Sequence, residues 1–342
     1  MTTSFSREED TVLTIIPCLN EAEHIAPLLR GLLTDPVNRR IVVADGGSTD
    51  GSRAIIRQMA AQGDRIVLMD NPDGIQSAGI NRAVERYGAD ATWIARIDAH
   101  GVYPDRYVSR LIATAQTQSV DAVVVRLETY AESGFARGVA AAQNSRLGTG
   151  GAAHRTGGAG GLVDHGHHAL MRRDAFVAAG GYCENMACNE DAELDLRLLA
   201  NGARIWLEPD LPVTYFPRRG LRSLLRQYFR YGAGRAATSR RHRRRLRPRQ
   251  ALPLAVAPAC ALALGAPIVP ALALPALGWA GVCQAWGIAL ALRQRRADAA
   301  WAGSAAMIMH VGWSAGYWKQ EIGALASGGR SLPGPALPFA AS

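Results

Sequence analysis

Lysine is almost missing from this chain of 342 residues: Lys319 is the only one, and arginine carries the rest of the positive charge behind a net +9. A bias spread over the whole sequence reflects genome composition as much as function, so the total alone excludes little. Two local absences say more. Between Arg218 and Arg249 there is no Asp or Glu among thirteen arginines. From Ala251 to Leu292 there is no formally charged residue at all. The five cysteines form neither a disulfide framework nor a zinc set, since Cys183 and Cys188 lack a second pair. Reduced thiols of a cytosolic domain are expected. Thr2 to Asp10 is polar and has no apolar signal-peptide core. No G-x-G-x-x-G follows the first predicted strand, which argues against a dinucleotide site. There is no internal repeat and no heptad pattern.

What is present begins with alternation. "TVLTIIP" (11–17), "RIVVAD" (40–45), "RIVLMD" (65–70) and "ATWIARID" (91–98) have the composition of buried strands. Between them "EAEHIAPLLRGLL" (21–33), "GSRAIIRQMAAQG" (51–63) and "QSAGINRAVERYG" (76–88) have helical periodicity. This βαβα rhythm predicts an α/β domain with a mostly parallel, helix-covered sheet. Further on, "GTGGAAHRTGGAGG" (148–161) is too polar and glycine-rich for core and is expected to be a mobile loop. "EDAELDLRLLANG" (190–202) predicts a helix with acids in its first turn and Gly202 as its stop.

In open α/β sheets ligands sit beyond the carboxyl ends of the strands. Here those ends read "PCLNE" (17–21), "DGGSTDGS" (45–52), "DNPDG" (70–74) and "DAH" (98–100). Several carboxylates in one crevice are costly without a cation or specific donors. A divalent metal bound to a diphosphate resolves the cost, and a separate carboxylate can accept a uracil N3–H. In an extended segment Asp98 and His100, two residues apart, point the same way. They either converge on one ligand or mark a strand end turning polar.

The order and spacing of "TIIPCLNEAEHI", "VVADGGSTDGS", "NPDGIQSAGINRAV" and "ARIDAHGVYPDRYV" resemble the family 2 glycosyltransferases of the GT-A fold. "VDHGHHALMRRDAFVAAGGYCENMACNEDAELDLRLLANGARIWLEP" resembles the acceptor half of that family, so the match covers about 11–235. Within the family the chain is most similar to bacterial succinoglycan-type exopolysaccharide transferases, which carry C-terminal transmembrane helices. The resemblance implies a GT-A domain, Rossmann-like and built for nucleotide-diphospho-sugars. It implies a nucleotide pocket lined by Pro17, Asn20 and Glu21, with Asp45 reading the uracil and Gly79, Asn81 and Arg96 also contacting the donor. Asp98 takes the first position of the metal-binding D-x-D motif. His100 stands in place of its second Asp, as a direct ligand or behind the ligands. Imidazole favours Mn²⁺ over Mg²⁺. Asp191 matches the base that takes the acceptor proton, with Glu190 and Glu193 as alternates. His165, His167 and His168 either line the acceptor side or form a surface turn.

The basic segment joins these sites to an apolar end. "LRSLLRQYFRYGAGR" (221–235) sets Leu221, Leu224, Leu225, Tyr228 and Phe229 on one helical face flanked by arginines, an interfacial pattern. Its Gln227-x-x-Arg230-Tyr231 resembles the Q-x-x-R-W motif of processive family members, so Gln227 and Arg230 are expected near donor or lipid phosphates. "SRRHRRRLRPR" (239–249) suits anionic headgroups. The uncharged run is long enough for two membrane crossings, with a third over 299–318, at roughly 20 residues each. Arginine placement puts the catalytic domain on the cytoplasmic face of the inner membrane in a multi-pass protein. The expected divisions are a catalytic domain at 1–217, a basic interfacial segment at 218–249, a membrane domain at 250–320 and a tail at 321–342. The expected activity is inverting transfer of a hexose, glucose by preference, from a UDP-sugar to a polyprenyl-diphosphate-linked saccharide. A processive synthase is disfavoured, because three spans are few for a pore, and transfer to a polyprenyl monophosphate is the remaining enzyme alternative. Membrane lipids are expected partners and nucleic acid is not, since no DNA- or RNA-binding motif accompanies the arginines. Asp45, Asp98 and Asp191 argue against an inactive scaffold, and oligomeric state is left open.

Overall fold

The computed structural model describes residues 11–186 and 188–326. Its centre is an eight-stranded sheet in the order β3-β2-β1-β4-β7-β5-β8-β6. β1 (Val12–Cys18), β2 (Arg40–Asp45), β3 (Ile66–Asp70) and β4 (Trp93–Arg96) run parallel. Alternate residues serve opposite faces, as the two-residue period requires. Val12, Ile16, Ile41 and Val43 pack with helices Ile25–Thr34, Ser52–Ala60 and Tyr107–Gln118. Leu13, Ile15, Val42 and Ala44 pack with helices Gln76–Tyr87 and Glu190–Ala200. Burial on both faces is why these strands are continuous apolar runs in the sequence.

The second half of the sheet is mixed. β5 (Ala122–Thr129) runs parallel to β8 (Ile205–Tyr215), and the short β6 (Gly161–Leu162) closes that edge. β7 (His167–Arg172) is antiparallel to both β4 and β5. That direction matters for the site. Ala95 pairs with Leu170, so the first residues of β7 fall just past the carboxyl end of β4, beside Ile97 and Asp98.

The glycine-rich stretch differs from the expected mobile loop. It holds two short helical turns, Arg146–Thr149 and Ala153–Thr156, the first closed by Ser145 Oγ accepting from Gly148 N–H at 3.0 Å.

The amphipathic helix is longer than its apolar stripe suggested, running Leu221–Arg241. Leu224 and Tyr228 are buried with Ala305, Ala306 and Met309 of helix Trp301–Ala326, whereas Leu221 and Leu225 of the same stripe are exposed. The two helices approach closely at glycines: a Cβ on Gly316 would meet the carbonyl oxygen of Phe229 at 1.9 Å, and one on Gly232 that of Trp313 at 2.0 Å. Helix Trp301–Ala326 also covers helix Gly134–Gln143 of the α/β domain.

One of the three expected crossings has a helix to match. Among the described residues one helix, Pro270–Gln294, is long and apolar enough to cross a membrane, and it is largely exposed. The run before it is broken by proline into the single turns Pro248–Ala251 and Leu252–Ala255 and the eight-residue helix Val256–Ala263. The three segments adjoin over 248–263, and at 1.5 Å per residue they reach about 24 Å, short of a bilayer core of about 30 Å. The third expected span, 299–318, lies in the helix packed along the catalytic unit. That helix continues to Ala326, into the expected tail; residues 327–342 of the tail lie outside the described residues.

Candidate active site

Arg96 is the hub of the site. It ends β4, its side chain is 4% exposed, and it faces two carboxylates. Nη1 donates to Asp191 Oδ1 and, at 3.2 Å, lies against the Tyr182 hydroxyl; Nε lies 3.4 Å from Asp98 Oδ1. Burial opposes ionisation of Asp98 and Asp191 alike. For Asp98 the Arg96 guanidinium, then His167 and His100, outweigh burial and hold the carboxyl below its ordinary range. For Asp191 the same is done by Arg96, then His168 and His167. For Glu190 the Arg96 charge is outweighed: burial and then the Asp191 charge raise its pKa. Of the two neighbouring acids, Asp191 is therefore the more readily ionised.

The helix that carries Asp191 begins after Asn189, a non-glycine residue at φ +69°, whose Nδ2 donates to Thr238 Oγ1 at 2.7 Å. This anchors the first turn to helix Leu221–Arg241. One turn after Asp191, Asp195 is fully buried between two imidazoles, His165 Nδ1 at 2.7 Å and His168 Nε2 at 2.7 Å. His168 Nδ1 lies 2.6 Å from the Tyr182 hydroxyl. His168 is buried, which excludes a surface turn. His165 and His167 line the cavity described below.

The D-x-D position departs from its simplest form. His100 turns Nδ1 to Glu21 Oε1 at 3.0 Å, and that bond raises the imidazole pKa. The imidazole nearest the Asp98 carboxylate is His167, with Nε2 3.4 Å from Oδ2 and Nδ1 3.9 Å from Asp191 Oδ2. Burial pushes His167 down to about 4, so it is neutral and has a lone pair to offer. Two ligands at right angles, each about 2.1 Å from an ion, sit roughly 3 Å apart. The Asp98–His167 pair fits one edge of such a shell, and a carboxylate with a neutral imidazole suits Mn²⁺.

The other expected donor residues divide into two groups. Asp45 Oδ2 accepts from Gly47 N–H at 3.0 Å, Ser48 N–H at 3.1 Å and Arg53 at 2.5 Å, while Oδ1 is buried without a partner. Asn20 sits at φ +58° and braces the neighbouring loop by accepting from Thr49 N–H at 2.8 Å. Pro17 continues β1 toward it, opposite Ala44. Gly79 and Asn81 have structural roles instead. A Cβ on Gly79 would meet Asn71 Nδ2 at 2.8 Å and Ala44 Cβ at 3.1 Å, so glycine there lets a helix lie close on β2. Buried Asn81 exchanges two 2.8 Å hydrogen bonds with the Tyr182 backbone.

Asp98, Asp191, Glu190 and Arg96 open on one cavity of about 1260 Å³. Gln227 and Arg230 line it too, Gln227 lying 3.0 Å from the Tyr231 hydroxyl. The same cavity is bounded by Val256, Trp279 and Val282 from the apolar C-terminal part. The pocket thus runs from a set of carboxylates to an oily wall.

The family model for glycosyl transferase family 2 matches residues 14–178. The chain is 50% identical to the succinoglycan biosynthesis protein ExoA of Rhizobium meliloti (strain 1021), over 91% of this chain and 94% of that one. This chain is a family 2 glycosyltransferase. Its fold is similar to that of the mannosyltransferase PcManGT from Pyrobaculum calidifontis in complex with GDP-Man and Mn²⁺, with a TM-score of 0.61 and 21% identity, covering 91% of this chain and 86% of that one.

Part of the basic run is engaged within the fold. Arg241 and His242 reach Glu193 Oε1 at 3.3 and 2.9 Å, and Arg197 reaches Oε2 at 2.6 Å. Arg247 pairs with Asp164. Arg243, Arg244 and Arg245 remain exposed. Glu193, an alternate base from the sequence, is thus a structural clasp, as is Asp195. One signal pointed to both: acids at 191 and 195 lie one helical turn apart on one face, and 193 falls on another.

Proposed function

We propose that this glycosyltransferase moves one hexose, glucose by preference, from a UDP-sugar to a saccharide carried on a polyprenyl diphosphate at the cytoplasmic face of the inner membrane. The observation that carries the reading is the single cavity joining Asp98 and Asp191 to Val256 and Trp279. A water-soluble donor needs the first end and a lipid-borne acceptor the second. The likeness to a protein named for succinoglycan biosynthesis supports exopolysaccharide assembly as the setting.

In this reading Asp45 Oδ1, which is buried without a partner, accepts the uracil N3–H once the loop at 46–48 makes room for the ring. Asp98 and His167 hold a divalent cation, Mn²⁺ in preference to Mg²⁺, with Glu21 and His100 bracing that edge from behind. When bound, the cation neutralises charge developing on the departing diphosphate. Asp191 takes the proton from the acceptor hydroxyl as its oxygen bonds to the sugar C1. The bond from C1 to the diphosphate oxygen breaks, UDP leaves, and the anomeric configuration inverts. Arg96 keeps Asp191 ionised and aimed. Pro270–Gln294 serves as the membrane-embedded element, and residues 1–217 as the catalytic unit.

The test is transfer itself. Membranes containing the full chain are incubated with a panel of radiolabelled nucleotide sugars, and the lipid fraction is extracted. Label from a UDP-hexose in the lipid fraction, released by mild acid, supports the proposal. Label only in water-soluble polymer contradicts it.

A further inference from the structure

Several arginines of this protein meet acids: Arg96 pairs with Asp191, Arg53 with Asp45, Arg197 and Arg241 with Glu193. Seven that line the cavity form no ion pair with a carboxylate among the described residues. Four of them, Arg146, Arg218, Arg226 and Arg230, are exposed to solvent, whereas Arg155, Arg235 and Arg249 are half-buried. Arg155 donates to Thr129 Oγ1 at 3.2 Å and stacks over the Tyr215 ring at 5.7 Å. Arg249 donates to the Gly151 carbonyl at 3.1 Å. Arg235 has its Nε buried with no partner. Burial, then the charge of Arg249, push Arg235 down to about 10. Cations gathered in a partly dehydrated space without an anion are unfavourable, and an anion entering that space relieves both costs.

Their placement says which anion. Arg235 follows Gly234, where a Cβ would meet the Cys188 carbonyl oxygen at 2.7 Å, so it sits beside the start of the helix bearing Asp191. Arg249 precedes the apolar lining at Leu252, Pro253 and Val256, a segment fastened to helix Trp301–Ala326 by Ser314 Oγ donating to Leu254 O at 2.9 Å. The cavity therefore offers acids, then guanidiniums, then an oily wall. A guanidinium fork matches phosphate oxygens two at a time.

We infer that Arg155, Arg235 and Arg249 form a diphosphate site for the acceptor, separate from the donor diphosphate at Asp98, with the isoprenoid chain leaving past Val256 and Trp279. The inference rests on the lipid-linked acceptor proposed above and specifies how it is held. The saccharide then lies between the arginines and Asp191, which sets the hydroxyl against the base.

Farnesyl diphosphate is the probe, measured by calorimetry on the detergent-solubilised full chain, with farnesol, inorganic diphosphate and UDP plus Mn²⁺ in parallel. The wild type should bind farnesyl diphosphate at least tenfold more tightly than farnesol or inorganic diphosphate. Arg235→Gln and Arg249→Gln should each weaken it about tenfold while UDP affinity stays within twofold, and Arg235→Lys should recover part of the loss. Unaltered UDP affinity also reports that the variants are folded. Unchanged farnesyl diphosphate affinity in both variants would remove the site. A fall in UDP affinity in step with the probe would assign these arginines to the donor. If the wild type binds UDP but does not prefer farnesyl diphosphate to farnesol, the lipid-linked acceptor fails together with its site.

Discussion

Arg96 donates to Asp191 across 95 positions of sequence, from the end of β4 to the first turn of helix Glu190–Ala200. This ion pair joins the strand end at Arg96 to the helix that carries Asp191. In the proposed reaction it also keeps Asp191 ionised for proton abstraction. With Arg96→Met, burial would act on Asp191 with less opposition and its pKa would rise. The rate requires the ionised form, so the rising limb of the kcat profile should move to higher pH, and kcat at pH 7 should fall about 100-fold or more. A pH–rate profile on a soluble acceptor analogue measures it; an unshifted limb would separate Arg96 from the base.

The imidazole beside Asp98 is His167 rather than the one in the D-x-D position. With UDP and Mn²⁺ bound, pulsed electron paramagnetic resonance should detect nitrogen coupling to the metal in the wild type. His167→Ala should abolish it, and His100→Ala should leave it in place. The reverse pattern would return the ligand role to His100. Asp98→Ala should weaken Mn²⁺-dependent UDP binding tenfold or more.

Glu193 ties the catalytic helix to the basic one through Arg197, Arg241 and His242. Burial opposes its charge, yet those partners hold its pKa down from 4.5 to about 2. The stabilisation is therefore present above about pH 4.5 and is lost as pH falls towards 2. Glu193→Gln should cost about 3 kcal/mol near neutrality, since it leaves buried cations unpaired. It should also flatten the acid limb of the melting curve. A variant as stable as the wild type at pH 7 would show that the clasp contributes nothing.

Helix Pro270–Gln294 leaves Ile288 55% exposed. If this helix lies in the bilayer, Ile288→Asp should cost about 3 kcal/mol of insertion. The variant should shift from the membrane pellet to the soluble or aggregated fraction while UDP binding to any folded protein persists. Unchanged flotation with liposomes would place the helix outside the membrane.

The parallel half of the sheet was legible because its strands are buried on both faces and end on acids: "RIVVAD" is β2 residue for residue. Asp98 and Asp191 were legible as members of an ordered series, and they do meet around Arg96. The rest was hidden for physical reasons. The antiparallel β7, which delivers His167 and His168, has no local sign of its direction. Gly79 and Asn81 resembled donor contacts, but glycine and asparagine serve close packing and backbone cross-links equally well. The arginine run suited a lipid surface by composition, and only tertiary contact reveals that Arg241 and Arg247 are paired with acids. Charge-free length does not register the proline-marked changes of helix type over 248–263.

The central claim is that Asp191 takes the acceptor proton in a site whose donor half is intact without it. Asp191→Asn keeps the shape and removes the base. The measurement is incorporation of labelled hexose from the UDP-sugar into extracted lipid, alongside UDP-sugar affinity. The account predicts transfer lowered at least about 1000-fold with affinity within a few-fold of the wild type. Wild-type transfer by Asp191→Asn would contradict it.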